Sequence, residues 1–394
     1  MRIAFFSNFL NHHQLPLCKA FLLRADVEFI FVATEPISQD RLDMGYADVN
    51  KAYDFVLCTY ENENSRRKAE ELAKNCDVMI FGSAPLLYLD LRMAENGITF
   101  YFCERVLRKG YWRRFIPTTY KKIHNAYLRY KDKPLYILGA SAYTAYDLKI
   151  CGFNEQKCFQ WGYFPEIRAN GIETLLEQKS ENKKVEILYA GRLLYLKKVL
   201  DIVKAMNLLL QKNIKNFHFT IIGDGEQKRK IENYIRKKSL QGYITILPFM
   251  PAAEVRKYMD KTDIYVFSSN FYEGWGAVVN EAMDSACAMV VSHAVGSVPY
   301  LIENGKNGLI YEMGNVRQLA YNLARLLADE KYRKELSING YYTITQEWSP
   351  AVAVNRLLEL SSTLREKFET NQVFETGVCS PAKLLKNNWM KRKE

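Results

Sequence analysis

The chain has 394 residues, too many for one ordinary hydrophobic core and about right for two domains. Apolar residues make up 48% and charged residues 25%, which excludes a disordered chain. The net charge of +11 is concentrated: Arg105, Arg108, Lys109, Arg113, Arg114, Lys121, Lys122, Arg129, Lys131 and Lys133 face one acid, Asp132, within a single stretch.

The chain begins with a predicted strand, Arg2 to Phe9, then a helix from about Gln14 to Leu23 and a strand from Phe29 to Ala33. Met1–Phe6 is too short an apolar run for a signal core, so no secretory leader is expected. No run of about 18 apolar residues occurs, so no membrane-spanning helix is expected. A helix over Ser65 to Lys74 precedes apolar runs at Cys76 to Phe81, Ile98 to Cys103 and Leu135 to Ser141. Short β-rich runs alternating with helices predict parallel βαβ units.

Tyr111, Trp112, Phe115 and Tyr120 are interleaved with the basic residues between Arg105 and Lys133. Such a stretch suits an anionic partner, whether a membrane surface, a phosphorylated lipid or nucleic acid; a solvated basic face is the other reading. The eight cysteines form no close C-x-x-C pair, which gives no zinc spacing and suits the reducing cytoplasm.

Residues 166–184 are polar and read as an interdomain linker with helical character near Glu173 to Gln178. A second βα series then runs through strands at Val185 to Ala190, Phe217 to Ile222, Ile244 to Leu247, Ile264 to Ser268 and Met289 to Ser292. Helices are predicted after each, with further ones at Arg317 to Leu327 and Ala351 to Lys367. Two such series predict two doubly wound, parallel-sheet domains, 1–165 and 185–348. A helix over 349–369, set against the first domain, and a frayed basic tail over 370–394 complete the expectation.

The chemistry-bearing residues cluster at predicted strand ends. Glu273 opens Glu-Gly-Trp-Gly-Ala-Val-Val-Asn-Glu, which ends at Glu281. Gly274 and Gly276 would let backbone approach a ligand closely. The helix start after Ala277 and Val278 would offer N–H groups to a phosphate. Glu281 can accept two hydrogen bonds from vicinal hydroxyls, or it can simply stabilise a helix start. Eight helical residues span about 12 Å, wider than the roughly 5–9.5 Å of glycosidase pairs, so two contacts on one long ligand fit better than a hydrolytic dyad.

Arg192 and Lys197 follow a strand end and can both reach a diphosphate, or can be a solvated pair. Ser297 and Pro299 suit a helix start. His12 and His13 follow the first strand, and Glu104 and Arg105 follow Ile98 to Cys103, so all four are candidate acceptor or sugar contacts. Gly223-Asp224-Gly225 lacks the third glycine of a dinucleotide fingerprint.

Taken together, Gly191-Arg192-Leu193 with Lys197, Glu273-x7-Glu281, Gly296 and Asn304-Gly305-Lys306-Asn307-Gly308-Leu309 resemble the donor domain of retaining group 1 glycosyltransferases of the GT-B fold. The likeness runs over roughly Val185 to Trp348. It implies two facing Rossmann-like domains with a cleft between them, the first for the acceptor. It implies that Arg192 and Lys197 bind a donor diphosphate, that Glu281 holds the ribose hydroxyls and that Glu273 contacts the transferred sugar. Backbone from Gly274 and Trp275 through Gly276, Ala277 and Val278 would line the sugar and phosphates, with Phe249 and Met250 at the base. The donor would be UDP- or GDP-linked, with no cofactor and no catalytic metal, because Arg, Lys and helix ends offset the diphosphate charge. The acceptor would be a glycan or lipid-linked molecule, in cell-surface polysaccharide or glycolipid synthesis. The enzyme would be cytoplasmic, peripheral at the inner membrane face through the Arg105–Lys133 stretch. An epimerase or a phosphorylase of the same fold, or a nucleic-acid-binding protein, are the alternatives. The sequence departs from the pattern at Lys198, where a glycine commonly follows the lysine.

Overall fold

The computed structural model describes residues 1–38, 48–168, 170–367 and 373–390. Two compact units are present: Met1–Glu166 with Ser349–Lys386, and Ile167–Trp348 with Asn387–Glu394.

The first unit is built on seven parallel strands: β1 (Arg2–Ser7), β2 (Glu28–Ala33), β3 (Val56–Cys58), β4 (Val78–Phe81), β5 (Thr99–Cys103), β6 (Leu135–Gly139) and β7 (Cys158–Gln160). Their order is β3-β2-β1-β4-β5-β6-β7, so the winding reverses between β1 and β4. The central strands are near-continuous apolar runs because parallel sheets are buried on both faces. Phe5, for example, packs edge-on against Phe31 and Phe102. In the second unit six parallel strands follow: β8 (Val185–Ala190), β9 (Phe217–Ile222), β10 (Ile244–Leu247), β11 (Ile264–Phe267), β12 (Ala288–Ser292) and β13 (Leu309–Tyr311). The order β10-β9-β8-β11-β12-β13 reverses between β8 and β11.

Two expectations are corrected here. The segment read as a linker is part of the second unit, and the helix expected near Glu173 to Gln178 is present there as Ile172–Ser180. Its Ile172 and Leu175 are buried, and buried Lys179 donates from Nζ to the carbonyls of Met259 (3.2 Å) and Thr262. The segment reads as a connection because its apolar face is narrow, Ile172 and Leu175 with the partly buried Leu176.

The second correction concerns the tail. The helix Pro350–Lys367 returns to the first unit, and residues beyond it add to the edge of β7. Gln160 N donates to Ser380 O (2.8 Å), Cys379 N to Gln160 O (2.9 Å) and Ala382 N to Cys158 O (2.8 Å). Val378, Cys379 and Ser380 are buried, so this part of the tail is not frayed. Lys391, Arg392 and Lys393 lie outside the described residues. All eight cysteines are free thiols, and among the described residues no helix is long and apolar enough to cross a membrane.

Candidate functional site

In doubly wound sheets the crevice outside the strand ends, where the winding reverses, is the ordinary ligand site. In the second unit that point lies between the loops following β8 and β11. After β8 the chain turns at Gly191 (φ +148°), and after β9 at Gly223 (φ +149°). A Cβ on Gly223 would lie 2.1 Å from the Gly191 carbonyl oxygen, so the two loops meet only because Gly223 carries no side chain. A 3-10 turn, Tyr195–Lys197, then presents Lys197.

The β11 loop reaches the same turn. Ser268 Oγ donates to Lys197 O (2.6 Å) and Asn270 N to Leu196 O (2.9 Å). Glu273 N donates to Asn270 O (3.0 Å), which closes the loop on itself. The outcome is an ion pair: Lys197 Nζ stands 2.5 Å from Glu273 Oε2, with each side chain 14% exposed. The ammonium also lies 5.1 Å from the centre of the Phe267 ring. Arg192 is exposed in the β8 loop, its carbonyl accepting from Tyr189 Oη (3.1 Å).

Beyond Glu273 the backbone is tightly constrained. Gly276 has φ +82°, and a Cβ there would meet the Phe267 ring at 2.7 Å. Trp275 is 1% exposed, donates from Nε1 to Asn280 Oδ1 (2.9 Å) and packs beside Trp348. Its indole is core, which leaves its backbone for the lining role expected of it, and its carbonyl already accepts from Ser297 N (3.2 Å). Gly274 is buried, while Ala277 and Val278 remain partly exposed where the helix Val278–Asp284 starts. Ser297 does not cap the helix Val298–Leu301 with its side chain. Met250 and the largely exposed Phe249 follow β10.

Glu281 lies in the first turn of the helix Val278–Asp284, partly buried. Burial raises its carboxyl above the ordinary value against the pull of Arg256 and Arg168, and Asp284 adds to the rise. Among the described residues its carboxylate has no hydrogen-bond partner. Asp284, one turn on and 3% exposed, accepts from Arg256 Nη2 and from Arg168 Nε (3.4 Å). Arg168 also forks onto Asp260, with Nη1 to Oδ2 at 2.8 Å and Nη2 to Oδ1 at 2.5 Å, and donates to Ser285 Oγ (2.8 Å).

This network was missed at the sequence level. One signal was available: Asp284 is a lone acid in the otherwise uncharged run Ala282-Met283-Asp284-Ser285-Ala286-Cys287-Ala288-Met289. A carboxylate in such a run needs a buried cation.

The first unit carries a second cluster at the same end of its sheet. His12 and His13 follow β1 with ring centres 3.8 Å apart. Burial and the neighbouring His12 push His13 down to about 3, so it is neutral at pH 7. Its ring meets Tyr163 edge-on at 5.9 Å, and Tyr163 Oη donates to Glu104 Oε1 (3.2 Å). His12, His13 and Glu104 are therefore gathered in one place. Arg105 is not with them, which corrects its reading as a sugar contact. It is 4% exposed and forked onto Asp147, with Nε–Oδ2 and Nη2–Oδ1 both 3.1 Å. Its guanidinium lies over Tyr111 and Tyr143.

Two doubly wound parallel sheets, with the Lys197–Glu273 pair at the reversal point of the second, define the GT-B class of fold. Within it, residues 172–343 match the family described as Glycosyl transferases group 1. An uncharacterized glycosyltransferase of Methanocaldococcus jannaschii is 36% identical over 32% of this chain and 35% of its own length. The poly(glycerol-phosphate) alpha-glucosyltransferase of Bacillus subtilis is 27% identical over 49% of this chain and 29% of its own. The chain thus spans well under two thirds of the length of these curated relatives. Among solved structures, Anabaena HepE in complex with UDP aligns over 92% of this chain and 100% of its own, with TM-score 0.69 and 15% identity. Similarly, TarM aligns over 91% and 98%, with TM-score 0.67 and 13% identity.

Proposed function

We propose that the chain is a retaining hexosyltransferase that moves a sugar from a nucleotide diphosphate, UDP- or GDP-linked, to a glycan or lipid-linked acceptor. The observation that carries this reading is the Lys197–Glu273 pair at the reversal point of the second sheet, one loop from an unpartnered Glu281 carboxylate. An ammonium has three protons. One engages Glu273, which leaves two for the oxygens of a diphosphate. Arg192, exposed in the same loop, adds a planar fork. Together they stabilise the charge that develops on the leaving diphosphate, where a metal would otherwise serve. Glu281 accepts from the two ribose hydroxyls through its two carboxylate oxygens. Met250 and Phe249 lie beside the base. Glu273, fixed by its ion pair with Lys197, orients the sugar.

The relatives support the polysaccharide and cell-wall setting: a capsular polysaccharide glycosyltransferase of Staphylococcus aureus and a lipopolysaccharide core glycosyltransferase of Rhizobium meliloti are among them. The His12, His13 and Glu104 cluster is assigned to the acceptor or sugar. Replacing Glu281 with Ala is expected to abolish binding of UDP or GDP in calorimetric titration; unchanged affinity for both would sink the assignment. The anomer of the product, read by NMR from an α-linked donor, tests retention. An epimerase would turn over without acceptor, and a phosphorylase would show long-wavelength absorbance from a pyridoxal group.

A further inference from the structure

The basic stretch of the first unit folds into a 3-10 turn, Tyr111–Phe115, and a helix, Pro117–Ala126. It is anchored from beneath. Tyr111 packs against Tyr146 and under Arg105, and Ile123, Tyr127 and Leu128 are buried. The remaining large apolar residues are left outside: Trp112 is 61% exposed, Phe115 74% and Tyr120 48%. Nothing in ordinary folding favours three exposed aromatics within nine residues.

The charges around them sort in the same way. Arg105 is consumed by Asp147, Arg129 is paired with Asp90, and Arg108 is 3.9 Å from Glu104. Among the described residues Lys109, Arg113, Arg114, Lys121 and Lys122 have no acidic partner. Two of these cations sit on the exposed rings: the Arg113 guanidinium is 5.7 Å from the Trp112 ring centre and that of Arg114 is 4.6 Å from Phe115. An aromatic with a cation beside it matches the boundary between lipid headgroups and acyl chains, where the ring enters the apolar layer and the cation stays at the phosphate. Nucleic acid would need bare ring faces for base stacking, and here the protein's own guanidinium groups lie against Trp112 and Phe115.

We infer that the segment from Lys109 to Lys122 docks the protein on an anionic phospholipid bilayer, with Trp112 and Phe115 entering the interface and Lys109, Arg113, Arg114, Lys121 and Lys122 reading the negative charge. This lies outside the donor site and stands or falls separately from it. Each cation near an anionic surface strengthens partitioning about fivefold. Docking therefore depends on lipid charge and weakens with salt.

The test is flotation of the full chain with phosphatidylcholine vesicles and with vesicles containing roughly one third phosphatidylglycerol. Binding is expected only to the anionic vesicles, and weaker at high salt. Lys121→Glu with Lys122→Glu should reduce it at least about twentyfold, and Trp112→Ser with Phe115→Ser should also release the protein. Brominated lipid should quench the wild-type fluorescence more than that of Trp112→Phe, a conservative variant that keeps the fold. Thermal melting of each variant with UDP separates loss of docking from loss of folding. Equal binding to neutral and anionic vesicles, variants that bind like wild type, or displacement of the vesicles by single-stranded RNA would overturn the inference.

Discussion

Arg168 ties together segments that lie far apart in the chain, and its loss gives a sharp prediction. Its side chain is 24% exposed, while those of Asp260 and Asp284 are 13% and 2% exposed. Arg168→Ala removes four hydrogen bonds and leaves Asp260 with no bonded cation, while Arg256 still holds Asp284. Breaking a buried pair from one side costs about 3–5 kcal/mol, and the partial exposure of Arg168 points to the lower end, about 3 kcal/mol. At roughly 2–4 °C per kcal/mol for a unit of this size, the melting temperature should fall about 6–12 °C at pH 7. The pH dependence supplies a second check. Burial works to raise the Asp260 carboxyl, but Arg168 outweighs it and holds the group below its ordinary value of 3.8. A lowered carboxyl contributes stability that is present above 3.8 and lost as pH falls through the lower folded value. Wild type and variant should therefore differ fully at pH 7 and converge below 3.8. Calorimetric melting of both across that range is the assay. A drop under about 2 °C at pH 7, or a gap that persists unchanged into acid, would refute the reasoning.

Three other predictions concern the β8 and β11 loops. Lys197→Met should weaken UDP binding about tenfold to a hundredfold, the worth of a hydrogen bond to a charged group. Glu273→Gln should instead leave nucleotide affinity near wild type and lower turnover, so that titration and rate measurements separate the two partners of one ion pair. Lys198 has φ +53°, where a side chain costs about 1–2 kcal/mol, and its ammonium lies over the Tyr195 ring. Lys198→Gly should thus melt within a few degrees of wild type, since relief of strain offsets lost contact and added chain entropy. Lys198→Val should melt lower than either; a valine variant as stable as the glycine one would show that no strain resides there.

Much of the fold was legible because buried parallel strands are written as apolar runs. The strands that escaped notice, β3, β7 and β13, are only three residues each, too short for any period to show. Lys197 and Glu273 were each found from their position after a strand. Their pairing was not, because it joins residues 76 apart and depends on how the two loops meet. Arg105 was misjudged for the same reason: its partner Asp147 lies 42 residues away, and adjacency to a strand end says nothing about which way a guanidinium is taken. Arg168 shows the limit most clearly. It sits in a polar stretch that looks like a connection, and only the folded unit reveals the acids waiting for it. The glycine expected after Lys197 illustrates the converse. The backbone conformation that glycine serves is present at Lys198, occupied by a residue that bears its strain.

The antiparallel bridge that the tail adds to the edge of β7 has a consequence for how the molecule is made. Ribosomes deliver chains from the N-terminus, and domains generally fold as they emerge. The first unit cannot be completed in that way, because Ser349–Lys386 is delivered only after the whole of Ile167–Trp348. Until then β7 stands with its outer N–H and C=O groups bare, a template for pairing with another nascent chain. The second unit, nearly contiguous, is positioned to close first while the older half waits. Heterologous expression that stops before Val378 should therefore yield aggregation rather than a smaller folded unit, and a cell making this protein has reason to keep a chaperone on the early half until the late segment arrives.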